Sequence, residues 1–106
     1  MKRSNVNEYT GGWIAGSFSP AILNTGEFEI GFKKYLRGEI NPKHYHVVAV
    51  EFTIVLDGVI QMNEDIFYQD DIITVEPNEV INFISLTDSY LCVIKVPSIP
   101  GDKYLV

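Results

Sequence analysis

Apolar and polar residues alternate in short runs along most of this chain, and a turn signal interrupts them every eight or so residues. No stretch repeats its apolar residues at the three-to-four spacing of a helix, so the pattern predicts strands. EFEIGFKKYL (27–36) alternates in part and carries β-favouring aromatics. VAVEFTIVL (48–56) sets Glu51, Thr53 and Val55 against Phe52, Ile54 and Leu56, so if Glu51 faces inward, Thr53 and Val55 do too. Asp57-Gly58 is a hairpin signal. VIQM and IFYQ predict a second hairpin across Asn63-Glu64-Asp65. IITV, VINFIS and YLCVIKV follow as strands, separated by Glu76-Pro77-Asn78 and Thr87-Asp88-Ser89. GEINP reads as a loop ahead of the next strand. Eight to ten short strands without a helix make an all-β barrel or sandwich.

The ends of the chain read differently. Residues 1–10 are polar and are expected to be a flexible N-terminal segment, leaving 11–106 as a single domain. Gly11 to Phe18 mixes glycine with aromatics, as an edge strand or a lid over a barrel mouth would. The tail PSIPGDKYLV, with two prolines and a glycine, is extended or looped.

Composition narrows the function. Of 106 residues, 46% are hydrophobic and 12% aromatic, which suits one folded domain. Eight basic and 14 acidic residues give a net charge of −6, which argues against nucleic acid as a partner. Cys92, the single cysteine, lies in an apolar run and reads as a buried core thiol. The first residues lack the apolar segment of a signal peptide, and no apolar run approaches the ~20 residues of a membrane span. The expectation is a cytoplasmic protein with no membrane partner.

The candidate chemistry lies between Gly38 and Gly58. His44 and His46, the only histidines, form an H-x-H pair, and Glu51 follows five residues after His46. On a strand the two imidazoles share a face and can meet one metal ion. Glu51 has the opposite parity, so the three converge only if the chain bends or changes strand near Val47–Val50.

Read as G-x5-H-x-H-x4-E-x6-G, the residues Gly38, His44, His46, Glu51 and Gly58 resemble the first motif of the cupins. The resemblance implies a double-stranded β-helix, or jelly-roll barrel, with H-x-H on one strand and the glutamate on the next. It also implies a divalent metal ion (Fe, Mn, Ni or Zn) held by His44, His46 and Glu51. The stretch from Asp70 to Phe83 is similar to a degraded second motif: Asn78 takes a glycine position and Ile81 the place of a fourth, histidine ligand, with Asn82 as the alternative register. Asn is the best substitute for glycine where φ is positive.

Three functions stay open. One is a metal-dependent enzyme acting on a small polar molecule. The second is a metal-free sugar epimerase or isomerase, with His44 or His46 as base and a tyrosine as acid. The third is a non-catalytic ligand-binding module. Tyr35, Tyr45, Tyr68, Lys33 and Lys34 are further polar groups available to a pocket. A homodimer is expected, because a barrel of this length has strand edges to cover.

Overall fold

A computed structural model describes residues 1–106 throughout. Its strands run β1 (Trp13–Gly16), β2 (Leu23–Asn24), β3 (Glu29–Tyr35), β4 (Ile40–Tyr45), β5 (Val50–Asp57), β6 (Ile60–Met62), β7 (Asp65–Phe67), β8 (Ile72–Val75), β9 (Ile81–Ser85), β10 (Ser89–Val96) and β11 (Tyr104–Leu105). Short 3-10 turns at Val6–Glu8 and Thr10–Gly12 precede them, and no helix is long and apolar enough to cross a membrane.

The strands form two sheets. One has the order β2-β1-β3-β10-β5-β8 and the other β11-β4-β9-β6-β7. Every pairing is antiparallel except that of β1 with β2. The core closes between the sheets. Val55, Leu91 and Val93 come from the first and Ile60, Met62 and Phe83 from the second, and all six are buried. On β5 the alternation holds through the strand, with Glu51, Thr53 and Val55 buried and Phe52, Ile54 and Leu56 half-buried. Cys92 is buried, as its apolar run implied.

Two local expectations are overturned. Asp57-Gly58 does not close a hairpin, because β5 pairs with β8 and β10 while β6 pairs with β7 and β9. It is a corner that carries the chain from one sheet to the other. GEINP is not a loop either: β4 begins at Ile40 and includes Pro42, which sits where the β4–β9 register shifts between Asn41 and His44. Proline has no N–H to give to a ladder, and a bulge is where a strand tolerates that. The second predicted hairpin is present as β6 and β7.

The corner at Gly58 needs glycine twice over. Its φ is +88°, and a Cβ there would press into the Asp88 carbonyl oxygen, with Ser89 Cα only 2.8 Å away. Gly58→Ala should therefore lower the unfolding free energy by about 1–3 kcal/mol or more. Gly26→Ala, where nothing lies within 4 Å, should stay within ~0.5 kcal/mol of the parent. Urea unfolding of both variants checks this, and equal losses would contradict it.

Candidate functional site

The inner face of the six-stranded sheet builds one wall of the site. Across β5, β10 and β3 the partners are Glu51–Lys95–Glu29, then Thr53–Val93–Gly31, then Val55–Leu91–Lys33. Side chains directly opposite on neighbouring strands share a face. Gly31 leaves a gap in this lattice, and the indole of Trp13 fills it: a Cβ on Gly31 would lie 2.6 Å from Trp13 Cε3. The ammonium groups of Lys33 and Lys95 lie 5.3 and 5.2 Å from the Trp13 ring centre. Cation–π attraction at these distances places both charges over the ring.

The other wall comes from β4 and β9. His44 is buried opposite Ile81 on β9, and Asn41 is opposite Phe83. His44 Nδ1 lies 2.7 Å from the Pro42 carbonyl oxygen. A carbonyl only accepts, so Nδ1 carries the proton and Nε2 the lone pair. Ile81 is buried and lines the pocket. Asn82 is exposed and bonds Asn63 in both directions, its N–H donating to Asn63 Oδ1 at 3.0 Å and its Oδ1 accepting from the Asn63 N–H at 2.9 Å. The register with Ile81 inward is the one adopted. Asn78 has φ +69°, as its glycine-like position required.

Between the walls is a cavity of about 180 Å³, lined by His44, Glu51, Thr53, Tyr35 and Asn41 with Lys33, Lys95 and Lys103. Trp13, Met62, Ile81, Phe83, Leu91 and Val93 supply its apolar lining. A larger cleft, about 720 Å³, lies between the N-terminal turns and β3, but no histidine or carboxylate lines it.

The chain crosses from one sheet to the other over residues 46–49, which belong to no strand. This crossing supplies the parity break between His46 and Glu51. The Asp102 carboxylate holds it, accepting from the backbone N–H of Val47 at 2.9 Å, Val48 at 3.1 Å and Ala49 at 2.9 Å. From the other side, the Asn78 N–H donates to the His46 carbonyl at 2.6 Å. His46 is therefore fixed on both sides of its own peptide. Its ring sits 5.3 Å from that of His44, close to perpendicular, and is only 2% exposed.

Burial sets the protonation states. It pushes the His46 pKa down to about 4, with Lys95 and His44 adding repulsion. His44 is lowered for the same first reason. Burial raises Glu51, while Lys95 and Lys103 pull it back. Burial would also raise Asp102, but the N–H donors of Ala49, Val47 and Val48 outweigh it and hold that carboxyl low. The two imidazoles are thus neutral around pH 7.

No protein-family model and no curated protein matches the chain. Solved structures do. A double-stranded β-helix protein from Klebsiella pneumoniae aligns with a TM-score of 0.75 at 16% identity, over 99% of this chain and 91% of that one. A sugar phosphate isomerase of the cupin superfamily from Silicibacter pomeroyi aligns with a TM-score of 0.67 at 18% identity, over 76% of this chain and 57% of that one. An RmlC-like cupin from Shewanella frigidimarina gives 0.67 at 16% identity, over 72% and 71%. The fold is that of a small cupin.

Within this fold the expected metal residues are only partly brought together. His44 and Glu51 face one cavity, while His46 lies behind it and does not line it. No group of three or more His, Cys, Asp or Glu side chains is arranged to hold a metal ion. Two features do suit one. His46 Nε2 is buried without a hydrogen-bond partner, and the Pro42 carbonyl orients the His44 ring as a carbonyl orients a metal-binding imidazole. Of the further polar groups, Lys33 and Tyr35 reach the cavity, and Lys34, Tyr45 and Tyr68 do not. Lys95, Lys103, Asn41 and Asp102 were not foreseen. For Lys95 a signal existed, because Leu91, Val93 and Lys95 share a face by strand parity.

His46 makes the stability of the protein depend on pH. Below pH 6.5 the unfolded chain takes up a proton that the folded chain refuses until about pH 4. Stability should fall as pH drops through that window and the His46 contribution should level off below it. Glu51, raised on folding, acts in the opposite sense. Urea midpoints of chelator-treated protein should therefore fall more steeply from pH 6.5 to 4 than those of His46→Gln. Parallel curves would mean His46 is not held neutral.

Proposed function

We propose that this cupin binds a small polar molecule in the cavity between its sheets, with His44 and Glu51 as the groups that act on it. The observation that carries the reading is the neutral His44 imidazole, its Nδ1–H committed to Pro42, beside a buried carboxylate in a cavity with an apolar lining. A few convergent polar groups over an apolar surface are the usual make-up of a ligand site. His44 Nε2 can accept a proton from a bound molecule, and Glu51, whose neutral form burial favours, can return one. The isomerase among the structural matches shares the fold, and a shared fold does not carry a reaction.

A thermal-shift screen of small polar metabolites tests this. Compounds that stabilise the parent should lose at least ~1.4 kcal/mol of binding, a tenfold change, in His44→Ala and in Glu51→Gln. Ile66→Thr, at an exposed position on β7 away from the cavity, should leave them unchanged. If hits survive both site variants, the cavity is not where they bind.

A second reading is favoured by the unpartnered Nε2 of His46. In it, His44, His46 and Glu51 hold a divalent metal ion, which when bound would polarise an oxygen of the ligand. Two neutral imidazoles suit such an ion, and Glu51 would have to close on it. Elemental analysis should then find about one ion per chain, the number that one site holds. Ile81→His, across from His44, should tighten zinc binding, whereas Asn82→His, pointing outward, should not. Well under a tenth of an ion per chain after incubation with Fe, Mn, Ni and Zn would remove this reading and leave the first standing.

The proposed assembly is a homodimer. Each sheet ends in two edge strands, and the edges carry exposed Ile72 on β8 and Leu105 on β11. Exposed apolar edges invite strand pairing with a second chain. Light scattering should give about twice the 12.0 kDa chain mass. A value near one chain mass across a tenfold dilution would refute the dimer.

A further inference from the structure

The chain carries 14 acidic residues against eight basic ones. The cavity reverses that balance: Lys33, Lys95 and Lys103 line it with Glu51 as the single carboxylate. These lysines come from β3, β10 and the segment after Asp102, which are far apart in sequence. Their positions are built. Lys33 and Lys95 are half-buried over Trp13, and Lys33 also donates to the Gly11 carbonyl. Neither a ring face nor a carbonyl carries a full negative charge. Two further carboxylates lie nearby without lining the cavity. Asp102 is taken up by three backbone N–H groups, and Glu29 accepts from Ser98 Oγ at 3.1 Å. Glu51 is the one carboxylate that lines the cavity beside the lysines. Holding like charges together is unfavourable, and burial together with the charges of Lys103 and Lys95 lowers the Lys33 pKa. An anion drawn into the cavity relieves that cost.

Building on the reading of this cavity as a small-molecule site, we infer that its ligand is a small organic anion whose charged head lies among Lys33, Lys95 and Lys103 and whose body lies over the apolar lining. The volume of about 180 Å³ is below the ~300–1,000 Å³ of pockets for drug-sized ligands, so the body is short. The head is a carboxylate or a phosphate monoester, and lysine, a point charge on a flexible stem, serves either.

Three probes with one carbon skeleton separate the possibilities: glycerate, glycerol 3-phosphate and glycerol. Trp13, the only tryptophan, sits among the lysines and gives a local fluorescence signal in the parent. Calorimetry compares the variants, since lysine changes beside the indole alter its emission. At least one anion should bind at least ~10-fold more tightly than glycerol, and the better of the two identifies the head group. Lys95→Gln and Lys103→Gln should each weaken it several-fold, and the double variant should abolish it. Lys34→Gln makes the same charge change on the opposite face of β3, where Lys34 lies 5.4 Å from the Tyr90 ring centre, and should leave affinity unchanged. Far-UV circular dichroism and melting curves confirm that each variant is folded. Glycerol binding as tightly as both anions, or anion binding that survives the double variant, would overturn the inference while leaving the cavity a ligand site. No binding of any probe at tens of millimolar would overturn the cavity reading, and the inference with it.

Discussion

The site depends on one carboxylate that takes no part in its chemistry. Asp102 caps three successive backbone N–H groups, those of Val47, Val48 and Ala49. These lie where the chain leaves β4 of one sheet and enters β5 of the other. An open crossing of this kind has no ladder to satisfy its donors, and a buried N–H without an acceptor costs about 1–3 kcal/mol. A charged acceptor shared among three donors removes that cost and rigidifies the turn. The consequence reaches both walls of the cavity, because His44 on β4 precedes the crossing and Glu51 on β5 follows it. It reaches the rim as well, since fixing Asp102 fixes the backbone of Lys103.

The inner face of the six-stranded sheet is a second constraint, and it concerns charge. The row Glu29–Lys95–Glu51 alternates in sign across three strands. Two rows away Lys33 has no such neighbour, because Leu91 and Val55 are its row partners. Gly31 lies between, and the missing side chain admits the Trp13 indole. The ring attracts both ammonium groups. Glycine here does not serve an unusual backbone angle; it makes room for an aromatic that organises cations. The neutral imidazoles complete the arrangement. Protonated, they would add to an already positive cavity, and burial holds their pKa values down.

Much of this could be read in the sequence, for identifiable reasons. Strand alternation on β5 fixed which of its residues face inward, and parity demanded that the chain change strand between His46 and Glu51. The motif glycines and Asn78 signalled positive φ, which Gly38, Gly58 and Asn78 all adopt. Legibility failed where the outcome depended on which sheet a strand joins. Asp57-Gly58 has the composition of a tight hairpin, yet it turns a corner, since turn residues specify local angles and not the partner of the next strand. The clamp by Asp102 links residues 53 to 55 apart in the chain, and a lone aspartate in a proline- and glycine-containing tail gives no sign of that reach. Lys103 was hidden by the same distance.

The degraded second motif separates two roles that one loop can serve. The turn at Glu76-Pro77-Asn78 keeps its backbone role: Asn78 adopts the positive φ, and its N–H holds the carbonyl of His46. At the position where the resemblance would place a fourth ligand, Ile81 is buried and faces the cavity. A backbone role constrains one residue to tolerate φ near +69°, and asparagine does so at modest cost. A ligand role constrains a side chain, and replacing it with isoleucine is favourable where the surroundings are Met62 and Phe83. The polar groups of the cavity then lie mainly on the β3–β10–β5 side, with His44 and Asn41 alone facing them from β4. The lysines, Glu51 and His44 share this cavity with an apolar lining of Trp13, Met62, Ile81, Phe83, Leu91 and Val93, and Lys95 is the direct cross-strand neighbour of Glu51. Charge and hydrocarbon are thus supplied by the same two walls, the charged groups mostly by alternate residues of β3, β5 and β10.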